Sequence, residues 1–149
     1  MTDLLLAIAH HLLVFTLAAI LAAELAIIRP GLSGASLRRL GVVDLHYGLI
    51  ATLILIVGFA RVYMGVKGPE AYLGNWAFWA KIGAFVLVGL LSAMPTVRIL
   101  QWRKLARADS GFALPEAEVK AVRPFLIAEA VVFAFIPVFA AMMARGYGL

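Results

Sequence analysis

Four long apolar runs leave this chain few folds to choose from. They are Leu4–Ile28, Val42–Val66, Trp76–Leu100 and Arg123–Ala144. A helix needs about 20 residues to cross the hydrocarbon, and each run is near or above that length. Lipid offers no partner to a backbone N–H or C=O, so uninterrupted apolar runs of this kind cross as helices. The expected fold is all-α: an integral membrane four-helix bundle forming one transmembrane domain over residues 1–149. Composition agrees, with 64% apolar and 14% charged residues against about half and about a quarter in soluble domains. The first run is longer than the apolar core of a secretion signal and has no basic flank before it, so it is read as a retained span.

Basic residues set the orientation. Nine of the thirteen, from Arg29 to Arg123, fall on the side reached after the first span and again after the third; Lys67 and Arg145 fall on the other. The first side is expected to be cytoplasmic, with both termini outward. The net charge of +5 follows from that asymmetry. Nucleic-acid binding is a poor reading, because the bases flank membrane spans. The absence of cysteine excludes disulfides and thiolate metal sites, and the five methionines are too scattered for a thioether copper site.

Glycine and proline punctuate the connections. Pro30-Gly31-Leu32-Ser33-Gly34 ends the first helix, with Ser36 the expected cap of the second. Gly65, Gly68-Pro69 and Gly74 separate the second and third. Gln101 to Val122 is the longest expected connection, with a short helix start at Pro115-Glu116-Ala117-Glu118. Pro95 and Pro137 are expected to kink their helices. Tyr72, Trp76 and Trp79 suit an interfacial aromatic belt.

The spans also carry residues that lipid does not tolerate cheaply. A lysine or arginine at mid-helix costs roughly 2.5–3.5 kcal/mol on insertion scales. At 1.5 Å per residue, His10, Arg61 and Lys81 lie at one depth, roughly 7–10 Å inside the outer boundary. Glu24, Asp44, His46 and Glu129 form a second, acidic layer toward the cytoplasm. His10 and Glu24 are fourteen residues apart and share a helix face within about 40°, whereas His11 points away. Tyr47, Gly58 and Arg61 share a stripe on the second helix, and Gly58 would admit a flat ligand or a neighbouring helix. Simpler roles stand beside these. Lys81 and Arg61 are long enough to snorkel to the outer surface, Glu129 can pair with Arg123, and His46 lies near the solvated boundary. No three ligands at one depth suit zinc. A histidine can ligate haem iron, and lysine or arginine suits the carboxylates of a porphyrin, while a neutral lysine suits the iron.

Several short motifs resemble a known family. They are Ala7-Ile8-Ala9-His10 in the first helix, Asn75-Trp76-Ala77-Phe78-Trp79-Ala80-Lys81 opening the third, Arg38-Arg39-Leu40 before the second and Glu129 in the last. Together they resemble the HemJ-type protoporphyrinogen oxidases of bacterial inner membranes, and the chain is also similar to small membrane proteins near that group and the copper-resistance D proteins. The resemblance implies b-type haem, with His10 an axial ligand, Lys81 a second iron ligand or propionate partner and Arg61 a propionate clamp. It further implies electron removal from a porphyrinogen, with a membrane quinone as acceptor. Glu24, His46 and Glu129 would then relay protons. The rival expectations are a non-catalytic membrane component whose buried charges fix helix packing, and a copper-resistance-like permease.

Overall fold

A computed structural model describes residues 1–66 and 68–147; Lys67, one of the two bases expected on the outer side, lies outside them. The helices are α1 (Thr2–Ile27), α2 (Gly34–Met64), the short α3 (Gly68–Leu73), α4 (Trp76–Ala108) and α5 (Glu116–Ala144). All but α3 are long and apolar enough to cross a membrane, and the fold is an all-helical membrane bundle. Large apolar side chains such as Leu12, Phe15, Ile56, Leu90, Val131 and Phe135 stand on its outer faces. In water such a surface would be an aggregation liability; in a bilayer it is the surface that meets lipid.

The helices outrun the apolar segments at one end. α2 begins at Gly34 with Ser33, not Ser36, as its N-cap residue. α4 continues through Arg103 and Lys104 to Ala108, and the turn at Glu116 opens α5 itself rather than a separate short helix. The connection expected over 101–122 shrinks to residues 109–115. Gln, Arg, Lys and Glu are good helix formers, so hydropathy marks where the lipid stops, not where the helix does. α4 runs through Pro95, and α5 through Pro124 and Pro137.

Packing divides the bundle into two hairpins. α1 lies mainly against α2 and α4 mainly against α5, while α2–α4 and α1–α5 contacts join the pairs more sparsely. The two hairpin loops are stitched together at one end: Gly31 N–H donates to Leu114 O and Leu114 N–H donates to Leu32 O, each at 2.9 Å. Gly31 takes a left-handed φ of 77° there, a conformation that suits glycine. Leu32 and Leu114 are buried beneath the stitch. We call this the loop end.

The opposite end, the terminal end, gathers the chain termini around the α2–α4 connection. Asn75 caps α4 by accepting from Ala77 N–H at 2.8 Å, and its Nδ2 donates to Tyr147 O at 3.3 Å. Between the ends, Leu17, Leu37, Leu40, Ile99, Val122 and Leu126 are fully buried. Trp102, also buried, donates from Nε1 to Glu118 Oε2 at 2.9 Å, closing the second hairpin near its loop.

Candidate functional site

One face of α1 supplies the inward stripe. Leu17, Leu21 and Glu24 are buried along it, and His10, half-buried, continues it toward the terminal end. Residues spaced by three and four recur on one side of a helix, so this stripe follows from the helical period alone. His11 falls off it: its ring is exposed, and Nδ1 lies 2.7 Å from Ala7 O of its own helix. Of the two adjacent histidines, His10 faces the bundle.

His10, Arg61 and Lys81 meet at the seam between the hairpins, toward the terminal end. A cavity of about 50 Å³ is lined by His10, Gly58, Phe78, Lys81, Phe133 and Ile136 among others. A smaller one of about 30 Å³ joins His10, Lys81, Arg61, Tyr72 and Met143. Gly58 makes room for the histidine: a Cβ there would stand 3.3 Å from His10 Cε1. The glycine on the α2 stripe thus receives the imidazole of α1, not an open space. Lys81 Nζ stands 5.4 Å from the centroid of the Phe78 ring, within cation–π range.

The electrostatics of this corner are one-sided. His10 Nδ1 and Arg61 Nε are buried without a hydrogen-bond partner among the described residues. The ion pairs among the described residues are Arg98–Glu118 at 3.6 Å and Lys120–Glu116 at 2.8 Å, so neither Arg61 nor Lys81 has a carboxylate partner among them. Two cations and an imidazole with a free ring nitrogen therefore share a region whose other walls are aliphatic and aromatic. Such a corner favours a group with an apolar body that carries an anionic part for the cations or an electron-pair acceptor for the imidazole.

The acidic residues form a second group nearer the loop end. Glu24, Asp44 and Glu129 are buried on three different helices, and each is close enough to influence another electrostatically. Asp44 accepts a 2.7 Å hydrogen bond from Thr96 Oγ1 across the seam. Tyr47, one turn on from Asp44, is buried beside Glu129, although its hydroxyl does not meet hydrogen-bond geometry. Glu129 does not pair with Arg123: the carboxylate is buried and the arginine is exposed. His46 stands apart from the group. It is exposed, with Nδ1 2.7 Å from Val42 O, because its position on α2 lies about 100° or more from those of Asp44 and Tyr47.

Two participants escape a depth-based reading. Tyr47 stands with the carboxyls, at the loop-end part of the stripe it shares with Gly58 and Arg61; its spacing of three from Asp44, which puts both on one face, is the available signal. Arg103, near the end of α4, folds across Gly41. A Cβ at Gly41 would collide with its side chain, and Nη1 lies 3.5 Å from Gly41 O. Nothing local in the α4 sequence predicts that path.

Among the described residues no group of three or more His, Asp or Glu side chains is arranged to hold a metal ion. No curated protein and no solved structure matches the chain. A family model described as "Predicted membrane protein (DUF2214)" matches residues 2–148, and this four-span chain belongs to that family.

Proposed function

We propose that the seam at the terminal end binds a membrane-dissolved ligand with an apolar body and an anionic or metal-bearing polar part, and that this ligand is haem b. The observation that carries the reading is the convergence of His10, Arg61 and Lys81, from three helices, on adjoining cavities with no carboxylate partner among the described residues. The donor set suits the cofactor: the free His10 nitrogen can ligate iron, and Lys81 and Arg61 can hold propionates. Bound there, haem would supply one-electron chemistry. His10 would fix its position, the two cations would orient its carboxylates, and Phe78 and Phe133 would exclude water.

Space is the point of disagreement. Ligand pockets run roughly 300–1,000 Å³, and the larger of these two cavities holds about 50 Å³. A macrocycle enters only if the hairpins part at the terminal end. Packing across the seam is sparser than within each hairpin, and such parting would have to be accommodated by the α2–α4 connection, which joins the hairpins at that same end.

A second reading rests on Lys81. Its ammonium already has the Phe78 ring, so the cations could serve packing alone, in a non-catalytic membrane protein.

Absorption of protein purified in mild detergent from haem-replete cells separates the two. A Soret band that is lost in His10→Ala and weakened in Lys81→Ala supports the haem site. Folded protein without the band would sink it in favour of the packing role. Oxidation of an added porphyrinogen, with a quinone as acceptor, is a separate assay of the oxidase chemistry implied by the resemblance to HemJ-type proteins.

A further inference from the structure

The buried carboxyls nearer the loop end do not line the terminal-end cavities, and their geometry calls for a ligand of its own. Glu24, Tyr47 and Glu129 are 3%, 5% and 1% exposed. Glu24 Oε1, the Tyr47 hydroxyl and both Glu129 carboxyl oxygens lack hydrogen-bond partners among the described residues. The groups facing them are few: Asp44 from α2 and, from α4, Arg103, which lies toward Asp44 across Gly41. One guanidinium at the edge does not balance three carboxyls. Burying unpaired carboxylates side by side is costly both through lost hydration and through mutual repulsion. A metal ion would neutralise them, but the side chains are not arranged around one. A proton is the one cation that needs no cavity. It also converts a carboxylate, which only accepts, into a group that donates as well.

The geometry points to a proton-binding site formed by Glu24, Glu129 and Tyr47, with Asp44 as its contact with the outside. The route is a groove of about 360 Å³ between α2 and α4, whose lining includes Asp44, Tyr47, Thr96 and Arg103. Thr96 holds Asp44 Oδ1 at 2.7 Å, which leaves the other carboxyl oxygen for a water in the groove. Tyr47 lines the groove and also neighbours Glu129, so its hydroxyl lies between the groove and the buried carboxyls. A proton entering at Asp44 passes by the Tyr47 hydroxyl to Glu129 or Glu24, and leaves by the same path. His46, turned away on α2, has no place in this route. The site stands whether or not the terminal-end seam binds haem.

Infrared difference spectroscopy on the whole protein in lipid discs, scanned from acid to mildly alkaline pH, tests this directly. The expected result is a carbonyl band of a protonated carboxylic acid that is lost as pH rises. The band should be reduced in Glu129→Gln or Glu24→Gln, and its midpoint should move in Tyr47→Phe. A wild-type spectrum with no such band, or with a band constant across the range, would overturn the proposal. Dicyclohexylcarbodiimide, which adds to protonated carboxyls in apolar surroundings, gives a second readout on the unaltered chain. Peptide mass spectrometry should find the adduct on Glu24 or Glu129 and not on exposed Glu116, with yield falling as pH rises. Adducts confined to exposed carboxyls would count against the site.

Discussion

The imidazole of His10 rests on Gly58, so close that a methyl group in place of the glycine hydrogen would stand 3.3 Å from Cε1. A histidine on one helix and a glycine on another thereby fix the approach of α1 to α2 at the depth where Arg61 and Lys81 arrive. If that contact sets the imidazole's position, small changes at Gly58 should be felt by anything His10 binds. Gly58→Ala is expected to displace the ring by a few tenths of an ångström and to weaken any Soret absorbance. Gly58→Leu should abolish it, with a stability loss of about 1–3 kcal/mol from overpacking. Absorbance and detergent unfolding on the same samples check both. Full Soret intensity in Gly58→Leu would show that His10 is not held by this contact.

Gly41 and Arg103 make a second such pair, now near the loop end. The arginine side chain occupies the space a Cβ at position 41 would need. Gly41→Ala should therefore destabilise the bundle by about 1–3 kcal/mol, and far less in an Arg103→Ala background. The coupling in a double-mutant cycle should fall within the roughly 0.5–3 kcal/mol seen for touching residues. Additive effects would mean that Arg103 moves aside without cost.

Ser33 and Ala113 face each other in the antiparallel bridge between the hairpin loops. Opposed residues of such a pair have Cα atoms about 4.5–5.5 Å apart, inside the 4.4–6.8 Å window that disulfides accept. The chain has no cysteine of its own, so the double variant Ser33→Cys/Ala113→Cys reports cleanly. It should oxidise to an intramolecular disulfide, read as a mass loss with no dimer on a non-reducing gel. Because the lock lies at the loop end, ligand binding at the terminal end should survive it. Thiols that stay reduced under oxidant would contradict the stitched loops.

Thr96 donates to Asp44 across the hairpin seam at 2.7 Å. Thr96→Val keeps the shape but removes the donor, leaving a buried carboxyl oxygen unpaired. The expected cost is about 1–3 kcal/mol, measured by unfolding in detergent. Asp44→Asn should cost less than Thr96→Val, since the amide oxygen still accepts. Equal stability in the native chain and Thr96→Val would show that the contact contributes nothing.

Asn75 accepts from Ala77 N–H where α4 starts. Replacing it with alanine removes the cap, at about 0.5–2 kcal/mol. It should also loosen the C-terminal residues that Nδ2 holds through Tyr147 O. Faster hydrogen exchange confined to the start of α4 and the end of α5 is the expected signature.

The four spans were legible because lipid imposes one rule on every residue of a run, and hydropathy sums it. The common depth of His10, Arg61 and Lys81 was legible because helical rise is constant. Helical phase favours His10 over His11, because Glu24 lies on the same face, and it is the packing that turns His10 inward and leaves His11 exposed. Hydropathy does not mark the end of α4, which runs on to Ala108, since a polar helix in water and a polar loop have similar hydropathy. Depth alone groups His46 with the carboxyls, while its azimuth on α2 carries it to the surface.

Periodicity along one helix thus determined which residues share a depth and a face. It could not determine which helices are neighbours, because in lipid every apolar face is equally content and helix choice rests on shape and polar contacts. Only the packing decided that α1 pairs with α2 and α4 with α5. The packing also decided that Tyr47 joins Glu129, that Arg103 crosses Gly41, and that the Gly58 notch is filled by the ring of His10. Each of these depends on the distance between side chains far apart in the chain, a quantity that exists only once the helices have met.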